Sequence, residues 1–194
     1  MTDQIDERDM VPAMSPVEMD GDEPSVEHAA GELQVPLGYT VLKGAVDGRR
    51  AVGIVVSKFN AEITNALLER ALAELDGIGV PRDAVMIMPV PGAFELPVAA
   101  MALAKTRRYS AIVALGCVIR GETPHFDYIA SEAASGLQLA AIETGVPVSF
   151  GVLTVENRKQ AEERIDRAAD AVRSALEMAD VFSQLRAQAA GPLR

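Results

Sequence analysis

The chain has 194 residues, 49% of them hydrophobic and 24% charged, so it can bury one substantial core and is composed like a globular protein. The formal net charge is −10, and the single cysteine, Cys117, excludes an internal disulfide and a cysteine-cluster metal site. The sequence shows no basic patch typical of nucleic-acid binding, no apolar run long enough for a bilayer and no secretory signal at its acidic N-terminus. We therefore expect a soluble, cytoplasmic protein with no nucleic-acid or membrane partner.

The negative charge is concentrated at the N-terminus. Residues 1–34 carry ten acidic side chains and one basic side chain, Arg8, whereas the rest of the chain has 18 acidic and 17 basic residues. The segment is rich in Pro, Met, Ser and Gly and has no sustained apolar period, so it cannot bury enough surface to offset its ordering entropy. We predict a disordered acidic arm over residues 1–38 and one domain over residues 39–194.

The predicted domain begins with a short extended segment, residues 39–44 (YTVLKG), which is either an edge strand or a strand given to a neighbouring subunit. Short apolar runs then alternate with longer amphipathic segments. The pattern predicts strands at 51–57, 83–90, 110–117 and 147–153, and helices at 61–76, 93–105, 126–143 and 157–188. Asn60 is a favourable N-cap for the first helix. The last helix is predicted to be continuous, because the chain has no Gly or Pro from Val152 to Ala190.

This alternation predicts the fold class. Strands that are buried on both faces and separated by helices form a parallel sheet with helices on each side, joined by right-handed crossovers. The predicted architecture is an α/β protein, a flavodoxin-like three-layer α/β/α sandwich with a four-stranded parallel sheet. Ligands of such sheets bind at the carboxyl ends of the strands, so the residues that follow each strand are the candidate site.

The segments at the strand ends hold unusual residues. Four of the five phenylalanines fall in or beside these segments, in a chain that is 4% aromatic and lacks tryptophan. They are Phe59, Phe94, Phe126 and Phe150. This clustering favours a flat ligand that can stack. The turn of residues 121–123 precedes a predicted helix and offers N–H groups and a hydroxyl to an anion such as phosphate, and His125 lies within one turn of it.

Each of these features alone has a simpler explanation. Glu95 in the first turn of a helix complements the helix dipole, Cys117 at a strand end packs as an inert thiol, and a lone loop histidine such as His125 is commonly solvated. Their coincidence at one edge of the sheet favours a site. Since neither a GxGxxG nor a P-loop motif occurs, and two histidines cannot build a His-rich zinc site, we expect no metal and no cofactor.

Four segments resemble those of the 6,7-dimethyl-8-ribityllumazine synthase family, in order and at matching spacing. They are VVSKFNAEIT (55–64), VPGAFELP (90–97), ALGCVIRGETPHFDYI (114–129) and PVSFGVLTVENRKQAEERI (147–165). The resemblance covers about residues 39–185. It implies a flavodoxin-like subunit that forms a homopentamer, in some members an icosahedral 60-mer built of pentamers, with active sites between adjacent subunits.

The activity that the resemblance implies is a condensation in riboflavin biosynthesis that needs no metal or redox cofactor. It joins 5-amino-6-ribitylaminopyrimidinedione to 3,4-dihydroxy-2-butanone 4-phosphate and releases phosphate and water. The family motif gives proton transfer to His125 and brings Phe150 and Arg164 from the neighbouring subunit. It carries substrate binding onto Phe59, Asn60, Ala93, Phe94, Glu95, Cys117, Val118, Ile119, Gly121, Glu122, Thr123, Phe150 and Arg164.

One segment departs from the family pattern. Many members have a glycine-containing loop after the arginine at position 164, with a lysine that binds phosphate, whereas RIDRAADAVR is shorter and has neither residue. On a continuous helix Arg167 points within about 60° of Arg164, so we predict that Arg167 replaces the lysine. The alternative is a solvated arginine paired with Glu163 or Asp170.

The same departure leaves two other functions open. One is a paralogue with weak or lost activity that serves as a shell or flavin-binding protein. The other is a flavin-binding module of electron transfer, which predicts a yellow protein without turnover.

Overall fold

A computed structural model describes residues 33–190, so most of the predicted acidic arm, residues 1–32, lies outside the described chain, as do residues 191–194. The strands form one sheet in which all neighbours are parallel, in the order β2-β1-β3-β4. They are β1 (Val52–Ser57), β2 (Val85–Val90), β3 (Ala111–Ile119) and β4 (Val148–Val155). The helices are α1 (Ala61–Ile78), α2 (Leu96–Lys105), α3 (His125–Thr144), α4 (Arg158–Glu162) and α5 (Arg167–Ala190). The predicted four-stranded parallel α/β architecture is confirmed.

Two hydrophobic cores lie on opposite faces of the sheet. Helices α1 and α5 cover one face and contact each other, with Leu67 and Leu176 fully buried against the strands. Helices α2 and α3 cover the other face, with Leu96 and Leu137 buried. Strands β1 and β3 are central and therefore apolar on both faces, which gives the three layers of a flavodoxin-like sandwich. No helix between residues 33 and 190 combines the length and the apolar character needed to cross a membrane.

Strand β2 is less buried than predicted. Its residues Met86 and Ile87 are 45% and 39% exposed in this chain, although the apolar run 83–90 predicts burial on both faces. The reason is its position, because β2 pairs only with β1 and lies at one edge of the sheet. Strand β4 lies at the other edge.

The strand order places a crevice at the carboxyl ends of β1 and β3. Strand β1 pairs with β2 on one side, with Val52 opposite Val85, and with β3 on the other, with Val52 opposite Ala111. The second strand, β2, therefore lies on one side of β1, and the next strand, β3, lies on the other side. A reversal of this kind opens a crevice beyond the strand ends, which is where ligands of open α/β sheets bind.

The predicted edge strand at residues 39–44 is absent from the described chain. The segment has no helix or strand and lies along α5, where the Ala45 N–H donates to the Asp180 carboxylate at 3.0 Å. The Gln184 amide donates to the Lys43 carbonyl at 2.8 Å. These bonds to a helix replace the ladder that a strand would need. Donation of the segment to a neighbouring subunit stays a prediction.

The prediction of one continuous helix over 157–188 is wrong. Helix α4 ends at Glu162, residues 163–166 form turns, and α5 begins at Arg167, whose N–H donates to the Arg164 carbonyl at 3.0 Å. Neither Gly nor Pro causes this break. Helix α4 packs on β3 and β4 as the chain leaves the sheet, whereas α5 runs back across β3 and β4 and against α1. The chain has to turn between these two packing sites, and tertiary contacts override the local helical pattern.

Candidate functional site

A cavity of about 740 Å³ lies at the carboxyl edge of the sheet, in the crevice that the strand order creates. Its walls come from the end of β1, the turn after β2, the end of β3 with the following loop, and the first turns of α3. The lining residues are Phe59, Gly92, Ala93, Phe94, Glu95, Cys117, Val118, Ile119, Gly121, Thr123, His125, Phe126, Tyr128 and Ile129. The wall is mostly apolar and aromatic with a few polar groups, as is typical of sites for small ligands.

The turn after β1 holds Phe59 at the mouth of the cavity, with 69% of the residue exposed. Asn60 follows in the left-handed region at φ 56° and ψ 50°, which asparagine tolerates better than most residues. Its side-chain amide donates to the Cys117 carbonyl at 2.9 Å and thereby ties the turn to β3. Asn60 is thus the N-cap residue of α1 by position, but its side chain makes no cap hydrogen bond, contrary to the prediction.

The turn after β2 forms a second wall. The Gly92 N–H donates to one Glu95 carboxylate oxygen at 2.9 Å, and the turn continues directly into α2. Phe94 between them remains 56% exposed at the cavity. Glu95 therefore fixes the shape of its own turn and is also one of the residues that line the cavity. Phe59 and Phe94 give the cavity two exposed aromatic rings.

Cys117 lies at the inner end of the cavity and is 2% exposed. Burial raises the pKa of its thiol to about 11, because the apolar surroundings disfavour the charged thiolate. At neutral pH the thiol is protonated and a poor nucleophile. The residue acts as a packed thiol whose backbone carbonyl holds Asn60.

The loop after β3 brings an anion-ready backbone and an imidazole together. Gly121 and Thr123 line the cavity, and His125 is the first residue of the 20-residue helix α3. Within the described chain, the N–H groups of Gly121, Glu122 and Thr123 donate to no other residue. N–H groups just before a helix N-terminus suit a negatively charged ligand. The arrangement can hold an anion with an imidazole beside it.

A second cavity of about 420 Å³ lies between β4 and α5. Phe150 and Arg167 line it, and Arg167 pairs with Asp170 at 3.4 Å, one of the two partners that the alternative interpretation names. Arg164 lies in the break between α4 and α5, where its guanidinium donates to the Gln160 carbonyl at 3.0 Å. Because the break separates Arg164 from Arg167, the expected angle of about 60° on one helix does not apply.

The first cavity therefore brings together ten of the fifteen predicted site residues. Phe150 and Arg167 line the second cavity, and three predicted residues line neither, namely Asn60, Glu122 and Arg164. Four lining residues were not among the predicted site residues, namely Gly92, Phe126, Tyr128 and Ile129, although Phe126 belongs to the cluster of phenylalanines noted in the sequence. Helical periodicity could have found two of them, because Tyr128 and Ile129 follow His125 by three and four residues on one face of α3.

Within residues 33–190 no group of three or more His, Cys, Asp or Glu side chains is arranged to hold a metal ion. The residues present instead offer stacking rings, an anion-ready loop and a titratable imidazole. With this inventory at its switch point, the parallel α/β sandwich has a small-molecule cavity of a kind suited to a flat ligand with an anionic group, and it has no nucleotide motif.

Comparison with known proteins identifies the family. The family model of 6,7-dimethyl-8-ribityllumazine synthase matches residues 49–183. A 6,7-dimethyl-8-ribityllumazine synthase of Polaromonas sp. (strain JS666 / ATCC BAA-500) is 43% identical over 142 residues, which are 72% of this chain and 92% of that protein. The chain belongs to the 6,7-dimethyl-8-ribityllumazine synthase family, and it is accordingly a transferase of riboflavin biosynthesis.

Proposed function

We propose that this chain condenses 5-amino-6-ribitylaminopyrimidinedione with 3,4-dihydroxy-2-butanone 4-phosphate to give 6,7-dimethyl-8-ribityllumazine, with His125 in proton transfer. The observation that carries the proposal is one cavity lined by Phe59, His125 and the loop residues Gly121 and Thr123. A stacking ring suits the flat pyrimidine, the anion-ready backbone suits the phosphate of the ketone, and the imidazole suits the proton transfers between them. The family membership supports the same reaction.

The chemistry needs proton transfers but no change of oxidation state across the overall reaction. The 5-amino nitrogen attacks the ketone carbon, and loss of water gives a Schiff base. Elimination then breaks the C–O bond to phosphate, and the ribitylamino nitrogen closes the ring with loss of a second water. His125 at the cavity wall is suited to these transfers, because an imidazole donates and accepts protons near neutral pH.

Phosphate is the group that the loop of residues 121–123 would hold as it leaves. Its N–H groups donate to no other described residue, and they precede the positive end of α3. Phe59 and Phe94 would hold the pyrimidine ring by stacking from the opposite wall. Binding both substrates in one cavity supplies proximity, which contributes a large share of the rate for a condensation.

Three of the five remaining predicted residues would form the other half of the proposed site. Phe150 and Arg167 line the cavity on α5 and β4, and Arg164 lies in the nearby break before α5. We infer that this surface of one subunit faces the first cavity of its neighbour in a homopentamer. There Phe150 would close the pyrimidine pocket, while Arg164 and Arg167 would bind the phosphate. A guanidinium binds phosphate through two parallel hydrogen bonds, which suits this role.

The reaction is tested by mixing the purified protein with both substrates and following lumazine formation by absorbance. We expect turnover above the spontaneous rate, and about a 10²- to 10⁴-fold lower kcat for His125→Ala, since general acid–base catalysis contributes that much. His28→Ala is the matched control and should leave kcat unchanged. If the unmodified protein formed no lumazine above the spontaneous rate, the synthase would be excluded and the weakly active or inactive paralogue favoured.

The role of Arg167 is tested separately. Arg167→Ala should raise KM for the phosphorylated substrate about tenfold or more, because a charge-assisted hydrogen bond is lost, while KM for the pyrimidine stays the same. Arg167→Lys should retain part of the affinity, since a lysine supplies the charge without the bidentate fork. Arg108→Ala, just before the amino end of β3, is the control. An unchanged KM for the phosphorylated substrate in Arg167→Ala would remove Arg167 from the site.

A further inference from the structure

Arg120 is the last residue before the loop that carries Gly121, Thr123 and His125, yet it does not line the cavity. Its backbone N–H donates to the Val155 carbonyl at the end of β4, at 2.9 Å. The backbone at the start of the loop is therefore held by the sheet. The side chain continues in a different direction, toward the residues that end the loop.

The guanidinium of Arg120 contacts both α3 and the exit of β4. Its two terminal nitrogens lie 3.2 and 3.1 Å from the two carboxylate oxygens of Asp127, which is a bidentate pair. Its Nε donates to the Glu156 carboxylate at 3.0 Å. Its central carbon lies 4.2 Å from the centroid of the Phe126 ring, a cation–π distance. One side chain thus joins the residue before the loop to the first turn of α3 and to the segment after β4.

These contacts leave the charge of Arg120 unavailable for the ligand. The guanidinium is ionised at physiological pH, and its hydrogen bonds to Asp127 and Glu156 raise its pKa further. Two carboxylates face this one cation, and the cluster has no surplus positive charge to bind phosphate. The contacts therefore have a structural role: they hold Asp127 and Phe126 in place.

The loop needs such support, because little else in it is bonded. The N–H groups of Gly121, Glu122 and Thr123 donate to no residue of the described chain, and the loop residues are exposed. The next backbone bond is that of the Asp127 N–H to the Pro124 carbonyl, at 3.0 Å. Phe126 is packed against the core beneath α2 and α3, so an arginine that grips Phe126 and Asp127 anchors the loop's far end to that core.

We propose that Arg120 is a positioning residue whose guanidinium closes the loop of residues 121–124 by bridging Asp127, Phe126 and Glu156. It holds the anion-ready N–H groups and His125 in register with the cavity before substrate binds. This role in catalysis rests on the proposed condensation at the same site. It explains why a fully engaged arginine stands between the buried strand β3 and the loop that lines the cavity.

The test compares Arg120→Ala and Arg120→Lys in the full chain, with Arg82→Ala as the matched control. Arg82 makes a bidentate pair with Asp76 before the amino end of β2, far along the chain from the loop. Arg120→Ala should raise KM for the phosphorylated substrate and lower kcat, together about tenfold to hundredfold in kcat/KM, because small displacements of reacting groups are costly. Millimolar guanidinium should restore part of the loss, and Arg120→Lys should restore less than half, since an ammonium cannot bridge all three partners.

A second measurement follows the loop without activity. Amide hydrogen exchange of the Arg120 and Asp127 N–H groups, which are bonded to Val155 and Pro124, should become about tenfold faster or more in Arg120→Ala and stay unchanged in Arg82→Ala. If the unmodified protein formed no lumazine but exchange still accelerated, the proposed function would fail while the positioning role stood. Unchanged exchange together with unchanged kcat/KM would overturn the positioning role. Faster exchange throughout the chain would overturn it as well, because it would show a general loss of stability.

Discussion

The residue after Phe59 shows how one side chain can shape a binding site that it does not line. Asn60 adopts a left-handed backbone conformation, and its amide reaches across to the Cys117 carbonyl on β3. The sequence suggests a helix cap at this position, because asparagine is common there. In the structure the asparagine instead reverses the chain direction, and this turn leaves Phe59 exposed at the cavity.

Substitutions at Asn60 separate the backbone requirement from the hydrogen bond. Asn60→Gly keeps the left-handed conformation at little cost and loses one hydrogen bond, so it should lower the free energy of unfolding by about 1 kcal/mol. Asn60→Ala also carries the strain of a left-handed backbone and should cost about 1–2 kcal/mol more. Urea unfolding at one protein concentration measures both. Equal stability of the two variants would show that the backbone conformation adds no cost.

Cys117 yields a prediction about pH. The folded thiol has a pKa of about 11, raised by burial, whereas an exposed thiol in the unfolded chain titrates near its ordinary value of about 8.5. As pH rises between these values the unfolded chain loses its proton first, so the free energy of unfolding should fall. This part of the loss should be absent in Cys117→Ala, as urea unfolding at pH 8 and about pH 10 can show. An identical pH dependence in both proteins would contradict the raised pKa.

At the scale of elements, glycines inside two helices have opposite roles. Gly136 in α3 faces α2 so closely that an added Cβ would lie 2.6 Å from the Pro97 Cβ. Gly77 near the end of α1 has open space at the same position. Gly136 thus sets the distance between two helices, whereas Gly77 only weakens its own helix.

The pair gives a matched test of packing. Gly136→Ala should lower the free energy of unfolding by about 1–3 kcal/mol, because overpacking outweighs the gain in helix propensity. Gly77→Ala should raise it by about 0.5–1 kcal/mol, since alanine restricts the unfolded chain and meets no neighbour. Thermal or urea unfolding of the two variants decides the matter. Stabilisation by Gly136→Ala would show that α2 and α3 can move apart at little cost.

The sequence predicts what local patterns encode, and it fails where contacts between distant segments decide. Apolar runs predict all four strands, and their carboxyl ends predict the place of the first cavity. The break at 163–166, with the sequence Glu-Arg-Ile-Asp, contains neither Gly nor Pro, and only packing of α4 and α5 on the sheet requires the turn. The bonds of residues 43 and 45 to α5 are equally nonlocal, which is why an edge strand was the wrong prediction.

At the scale of the molecule, twelve of the fifteen predicted site residues are divided between two cavities. Ten line the first cavity, whereas Phe150 and Arg167 line the second, on the edge strand β4 and helix α5. An edge strand leaves one side of its backbone without a partner in the sheet, so β4 offers a surface for another chain. In the proposed homopentamer, the second cavity of each subunit would lie against the first cavity of the next, through a repeated head-to-tail contact.

A mixing experiment tests this arrangement. One variant would combine Phe59→Ala with His125→Ala and the other Phe150→Ala with Arg167→Ala, each leaving a single cavity unmodified. Each variant assembled alone should be nearly inactive, since every site lacks one half. When the two are unfolded together in equal amounts and reassembled, roughly a quarter of the interfaces in a random ring carry two unmodified halves. Lumazine formation should therefore return to about a quarter of the rate of unmodified protein treated in the same way.

Light scattering on the mixture checks that assemblies form, and mixing each variant with itself is the control. If assemblies of normal size formed but the mixture were no more active than these controls, each subunit would contain a complete site, and Phe150 and Arg167 would serve no neighbour.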